Sequence, residues 1–284
     1  MAYRDIFYSA EDGLRLVARD YDNRQASLAV LCLHGLTRNA ADFEDLAVHL
    51  HTKYRVIAAD QRGRGRSAWD PDPMNYALPT YVRDMWTLLD HLGCDRVAII
   101  GTSMGGMMAM VMAATRPTRV RGIVLNDIGP DIDPRGIARI QGYVGRQPPV
   151  ASWDEAAARI RAANAAAFPD FGEADWLGFA RRTFRPRDDG TLEPAYDPDI
   201  AVPFRAAPAG DVDLWALFEA ASATPCLVIR GVLSDILAGK TLAKMAARHP
   251  DLTHVTIPAR GHAPTLDELD AVAAIDDFLG RLDS

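Results

Sequence analysis

The stretch Val97-Ala-Ile-Ile-Gly-Thr-Ser-Met-Gly-Gly-Met107 holds the residues best suited to chemistry in this chain. An apolar run leads into Gly101-x-Ser103-x-Gly105, and an apolar helix pattern follows. That is the setting of a nucleophile elbow. Such a turn holds its serine in strained backbone angles, and small residues two positions to either side avoid clashes. It lifts Ser103 to a helix N-terminus, where partial positive charge and free N–H groups favour a developing anion. Serine alone is a poor nucleophile. It needs a base to take its proton and an acid to orient that base.

The chain has seven histidines. His262 sits in Pro258-Ala-Arg-Gly-His-Ala-Pro264, between the last strand pattern and the last helix pattern, and is the expected base. His49, His51, His91, His249 and His254 lie on helices, helix ends or a strand and read as structural or surface residues. His34 reads as a structural support of its loop. The acid should follow a strand between the serine and the histidine. Asp235, in Ile229-Arg-Gly-Val-Leu-Ser-Asp-Ile236, is the first candidate and completes the order Ser, Asp, His. Asp127 follows the strand after the serine strand and is the second; its other reading is a hinge residue bonded within the Asp-Ile-Gly-Pro turn. Two backbone N–H groups should face the developing oxyanion. Met104 follows the nucleophile, and Leu36 lies in the sharp loop Leu33-His34-Gly35-Leu36-Thr37-Arg38.

The elements that must position these residues are legible. Apolar runs at 28–33, 55–59, 97–100, 122–125 and 226–229 have the continuous character of strands buried on both faces, and 253–257 resembles them. Segments 3–9 and 14–21 flank the turn Ala10-Glu11-Asp12-Gly13, a hairpin signal. Helical patterns lie between the strands. Phe43, Leu46, Ala47 and Leu50 share one face, as do Val82, Met85, Leu89 and Leu92. Strands alternating with helices imply a mostly parallel sheet covered on both sides. The alternation breaks after Asn126-Asp127-Ile128-Gly129-Pro130, and the next stretch reads as helices joined by Pro/Gly-rich segments. The expected division is a core of residues 1–130 and 224–284 with a helical cap, or lid, over 131–223.

Composition narrows the class. With 284 residues, 49 % hydrophobic and 24 % charged, the chain can bury a large core without disulfide or metal staples. Lys and Arg number 31 against 38 Asp and Glu, a net charge of −7 that opposes nucleic-acid or anionic-membrane partners. Cys32, Cys94 and Cys226 show neither a metal-ligand nor a CxxC spacing and read as buried small hydrophobes. The first residues lack the apolar core of a signal peptide, and no apolar run is long enough to span a bilayer, so a cytoplasmic location is expected.

With His34-Gly35, Asp60-Gln-Arg-Gly-Arg-Gly-Arg-Ser67, Gly101-Thr-Ser-Met-Gly105, Asp235 and Gly261-His262, the chain resembles α/β-hydrolase-fold enzymes over essentially its whole length. The resemblance implies an α/β architecture: an eight-stranded, mostly parallel sheet with strand 2 antiparallel, helices on both faces, and a cap inserted after strand 6. Haloalkane dehalogenases and epoxide hydrolases of this fold carry Asp where Ser103 stands. The chemistry expected here is therefore serine acyl transfer on a small carboxylic ester or lactone, with no metal or organic cofactor. The alternative is a carbon–carbon bond hydrolase of ring-cleavage diketones, which shares the Ser-Met-Gly-Gly motif but has a Gly-Pro-Gly-rich oxyanion loop. A ligand sensor on the same fold is a third reading.

The cap should set substrate choice. Tyr143 and Trp153 are candidate pocket residues among its many aromatic and aliphatic side chains. Its stretch between Asp131 and Leu214 holds ten arginines and fourteen acids, so it is no basic patch. Arg139, or else Arg135 or Arg181, is a candidate to grip a substrate carboxylate. The sequence leaves the oligomeric state open between monomer and homodimer.

Overall fold

The structure is a computed structural model and describes residues 3–145, 147–206 and 213–283. The chain opens with β1 (Arg4–Ser9), β2 (Arg15–Tyr21), β3 (Ala29–Leu33), α1 (Glu44–Leu50), β4 (Arg55–Asp60), α2 (Leu78–His91), β5 (Val97–Thr102), α3 (Met104–Thr115) and β6 (Val120–Asn126). It closes with β9 (Cys226–Gly231), α9 (Gly239–Arg248), β10 (Leu252–Ile257) and α10 (Leu269–Asp283). Between β6 and β9 lie α4 (Pro134–Tyr143), α5 (Trp153–Asn164), α6 (Glu173–Thr183), β7 (Phe184–Pro186), β8 (Leu192–Pro194), α7 (Ala201–Ala206) and α8 (Leu214–Ala220).

One sheet of eight strands runs β1-β2-β4-β3-β5-β6-β9-β10. β2 is antiparallel to both its neighbours, and every other pairing is parallel. Each apolar run read as a strand is one of these eight. Alternation of side chains sorts the central strands onto two faces. Leu31, Leu33, Ile57, Ile99, Ile123 and Val228 join α2, α3 and α9 on one side. Val30, Cys32, Val56, Ile100, Val124 and Ile229 join α1 and α10 on the other. The three cysteines are free and buried, as expected of small hydrophobes.

The insert between β6 and β9 has two kinds of footing. Ile140 and Val144 at the end of α4, Ile200 and Ala201 at the start of α7, and Phe218 of α8 belong to the same apolar cluster as the sheet. Val150, Ile160, Phe168, Trp176, Phe184 and Leu192 form a separate cluster that holds α5, α6 and the β7–β8 hairpin together. The hairpin and α7 have no counterpart in the sequence reading. Strands of three residues are too short for a hydrophobic period to register. No helix among the described residues is long and apolar enough to cross a membrane.

Candidate active site

β5 delivers Ser103 in the conformation its flanking glycines anticipate. Ser103 has φ 53° and ψ −115°. A Cβ on Gly105 would lie 2.0 Å from the Leu33 carbonyl oxygen, and one on Gly101 would lie 2.3 Å from that of Gly105. No side chain fits at either position, because β3, the turn and α3 meet there backbone to backbone. The Ser103 N–H donates to the Asn126 carbonyl at 3.0 Å, tying the turn to the end of β6.

His262 lies in the loop between β10 and α10. Its Nε2 is 2.9 Å from Ser103 Oγ, and its Nδ1 is 2.8 Å from Asp127 Oδ2. The imidazole thus stands between a hydroxyl and a carboxylate in the arrangement that general-base activation of serine requires. Ser103 and His262 are brought together as the sequence predicts.

The acid is a correction. Asp127, not Asp235, meets the histidine. Asp127 is fully buried at the end of β6 with φ 55°. That left-handed turn swings its side chain beneath His262. Its carboxylate also accepts from the Gly231 N–H at 2.9 Å and the Ser234 hydroxyl at 2.6 Å. Asp235 instead faces α4 of the insert. Arg139 grips it with two bonds, Nε to Oδ2 at 2.6 Å and Nη2 to Oδ1 at 2.9 Å. Burial works to raise the Asp235 carboxyl, but Arg139 outweighs it and holds it below the usual carboxylate range.

That ion pair also corrects the expectation for Arg139. The residue lines the cleft, yet its guanidinium fork is already occupied by Asp235. Arg135 is paired with Asp133 on the surface, and Arg181 lies over the Trp153 ring at 5.3 Å. Trp153 packs on the insert's own apolar cluster rather than in the cleft. Its helical spacing fits both places, and only the orientation of α5 separates them. Tyr143 does line the cleft, one turn beyond Arg139. Burial raises the Tyr143 hydroxyl above the usual tyrosine range.

Of the two expected oxyanion donors, Leu36 stands on the loop after β3 and lines the cleft, and Met104 is the first residue of α3. The Asp60–Ser67 turn supports this loop. Arg64, buried, donates from Nε to the Leu36 carbonyl at 2.9 Å and from Nη1 to Tyr81 Oη at 2.8 Å. Arg62 is buried among Asp84, Asp12 and Asp70. These two arginines are spent on structure. His34 donates from Nδ1 to the Gly35 carbonyl at 2.8 Å, and its Nε2 accepts from the Gln61 N–H at 3.2 Å. Burial pushes its pKa down to about 3, so it holds the loop as a neutral ring.

Arg38 escaped the sequence reading. It lies over the Phe179 ring at 4.2 Å, bonds Asp42 through Nε at 2.7 Å and also reaches Thr183, so it pins the loop after β3 to α6. Its position three residues after Gly35 in Gly-Leu-Thr-Arg is the only local hint. The cleft is lined by Ser103 and His262 together with Tyr143, Phe168, Phe179 and Tyr196. Among the described residues, no group of three or more His, Cys, Asp or Glu is disposed to hold a metal ion.

The alpha/beta hydrolase fold family matches residues 29–269. A 3-hydroxybutyrate-oligomer hydrolase of Cupriavidus necator is 37 % identical over 273 residues, spanning 93 % of this chain and 92 % of that protein. A 2-(acetamidomethylene)succinate hydrolase of Mesorhizobium japonicum is 27 % identical over 259 residues, 91 % of this chain and 90 % of the relative. The crystal structure of an alpha/beta hydrolase from Novosphingobium aromaticivorans superposes with a TM-score of 0.94 at 44 % identity, covering 99 % of both chains.

Proposed function

The chain belongs to the alpha/beta hydrolase family and is a hydrolase, and from that premise we propose that it cleaves small carboxylic esters through Ser103, His262 and Asp127. The observation that carries this reading is the pair of contacts at His262, 2.9 Å to Ser103 Oγ and 2.8 Å to Asp127 Oδ2. His262 Nε2 takes the Ser103 proton as Oγ attacks the ester carbonyl carbon. The carbonyl oxygen becomes an oxyanion and lies against the Leu36 and Met104 N–H groups. Each such donor is worth roughly 10²–10³ in rate. His262 passes the proton to the leaving alkoxide, and the alcohol departs. Water, deprotonated by the same nitrogen, then attacks the acyl-enzyme and releases the acid and Ser103. Asp127 keeps the proton on Nδ1 and balances the imidazolium charge.

Short oligoesters of hydroxy acids are the leading substrate class. The 37 % identical relative from Cupriavidus necator is named for 3-hydroxybutyrate oligomers, and the similarity runs nearly end to end. A partly aromatic cleft suits a flexible ester chain. The insert acts as the cap that sizes this cleft, since Tyr143, Phe168 and Phe179 all come from it.

The test is initial rates on p-nitrophenyl esters from acetate to octanoate and on dimers and trimers of 3-hydroxybutyrate, with Ser103→Ala beside the wild type. Turnover by the wild type with loss in the variant supports the proposal, and the length profile sizes the acyl pocket. Wild-type inactivity on all of these, with cleavage of ring-opened diketones, would replace it with carbon–carbon hydrolysis.

A further inference from the structure

We propose that Ser234 is a positioning residue for the hydrolytic reaction, acting through the carboxylate of Asp127. The inference rests on Ser103, His262 and Asp127 acting as proposed above. Ser234 lies in the loop after β9, half-buried and outside the described cleft walls. Its Oγ accepts from the Leu237 N–H at 2.9 Å and the Ile236 N–H at 3.2 Å. A serine hydroxyl has two acceptor sites and one hydrogen. With both acceptor sites engaged, the hydrogen is left for Asp127 Oδ2, 2.6 Å away. The same oxygen receives the His262 Nδ1–H at 2.8 Å. Ser234 therefore shares with His262 the negative charge on which the base depends.

Two effects follow. The hydroxyl fixes the carboxylate rotamer so that Oδ2 meets the imidazole. It also withdraws charge from that oxygen and so limits how strongly Asp127 stabilises the imidazolium. Without it, His262 should hold its proton to higher pH, and the enzyme should need a higher pH to become a base. Other charged groups surround the site. Asp235 is the next residue and is held by Arg139, while Arg230 Nε donates to the Leu237 carbonyl at 2.7 Å. A Ser234 substitution changes none of these charges.

The experiment compares wild type, Ser234→Ala, Ser234→Thr and Asp127→Asn in the full chain. It reads kcat and KM on a p-nitrophenyl ester, the pH profile of kcat/KM, and thermal stability. Ser234→Ala is expected to lower kcat about tenfold, the scale of one hydrogen bond to a charged group. KM should stay near its wild-type value. The acid limb of kcat/KM should move up by about half a pH unit, because a histidine with a raised pKa stays protonated over more of the range. Ser234→Thr, which keeps the hydroxyl, should restore the limb. If Ser234→Ala does not fold, Ser234→Cys replaces it, and its weaker donor should move the limb the same way by less. An acid limb that stays in place overturns the inference whatever happens to stability, since a merely structural loop residue leaves it there. A limb displaced equally in Ser234→Thr overturns it too. If Asp127→Asn retains wild-type rates, the underlying catalytic reading fails. If Asp127→Asn is inactive while Ser234→Ala keeps its limb, only the role of Ser234 falls.

Discussion

Two aspartates stand beyond the ends of neighbouring strands in this molecule, and they have opposite surroundings. Asp127, after β6, is fully buried and accepts from Gly231, Ser234 and His262. Asp235, after β9, keeps 35 % of its side chain exposed and is gripped from the insert by Arg139. β6 and β9 pair in register, so both loops emerge at the same end of the sheet. What separates the two acids is backbone direction. The φ of 55° at Asp127 turns its side chain under the histidine, whereas the chain after β9 runs past the site and presents Ser234 inward and Asp235 toward α4. An acid's role follows from where its carboxylate is aimed and which donors are left for it, more than from its spacing along the chain.

Several substitutions would break or sharpen this contrast. The largest effect is expected from Asp127→Asn, which should lower kcat by about 10⁴ by favouring the wrong histidine tautomer. Asp235 should not substitute for it, because its carboxylate is bound to the insert. Steady-state rates on a p-nitrophenyl ester decide this, and a loss below tenfold would equate the two acids. Asp235→Asn should leave kcat within about threefold in the same assay, because its carboxylate is hydrogen-bonded to Arg139 while His262 is hydrogen-bonded to Asp127.

Stability should report Asp235 better than rate does. Removing Arg139, Asp235 or both in a double-mutant cycle should give a coupling of at most ~1 kcal/mol, since the pair is partly exposed and screened. Denaturant midpoints of the four proteins supply the number. A coupling of several kcal/mol would make the pair the main fastening of the insert.

The smallest effect is a pH dependence. Arg139 holds the folded-state pKa of Asp235 below its ordinary value. The group's contribution is therefore present above the ordinary carboxylate range and lost as pH falls through the folded pKa. The stability difference between wild type and Asp235→Asn should be full near neutrality, begin to fall as pH approaches the ordinary carboxylate value of about 4, and vanish only below the depressed folded pKa. A difference that persists at lower pH would mean that packing, not charge, makes it.

The sequence alone determined the sheet, the elbow and the histidine, for physical reasons that act locally. Strands buried on both faces must be continuously apolar, so the five central ones could be found from their own residues, while the opening pair was marked by its hairpin turn. A turn as tight as the one at Ser103 admits only glycine at Gly101 and Gly105, because a Cβ there would lie 2.3 Å and 2.0 Å from backbone oxygens. The loop of His262 was marked by its place between the last strand and the last helix. Other features depended on tertiary structure. Trp153 fits either the cleft or the insert's own core by periodicity, and only the packing of α5 assigns it to the core. Arg38 and Arg64 act by reaching across to Thr183, Phe179 and the Leu36 carbonyl. Arg139 and Asp235 are far apart in the chain and neutralise one another only once α4 lies over the loop after β9. The choice between Asp127 and Asp235 is of the same kind: both follow buried strands, and a single left-handed backbone angle, held by the Gly231 and Ser234 donors, decides which one reaches the base.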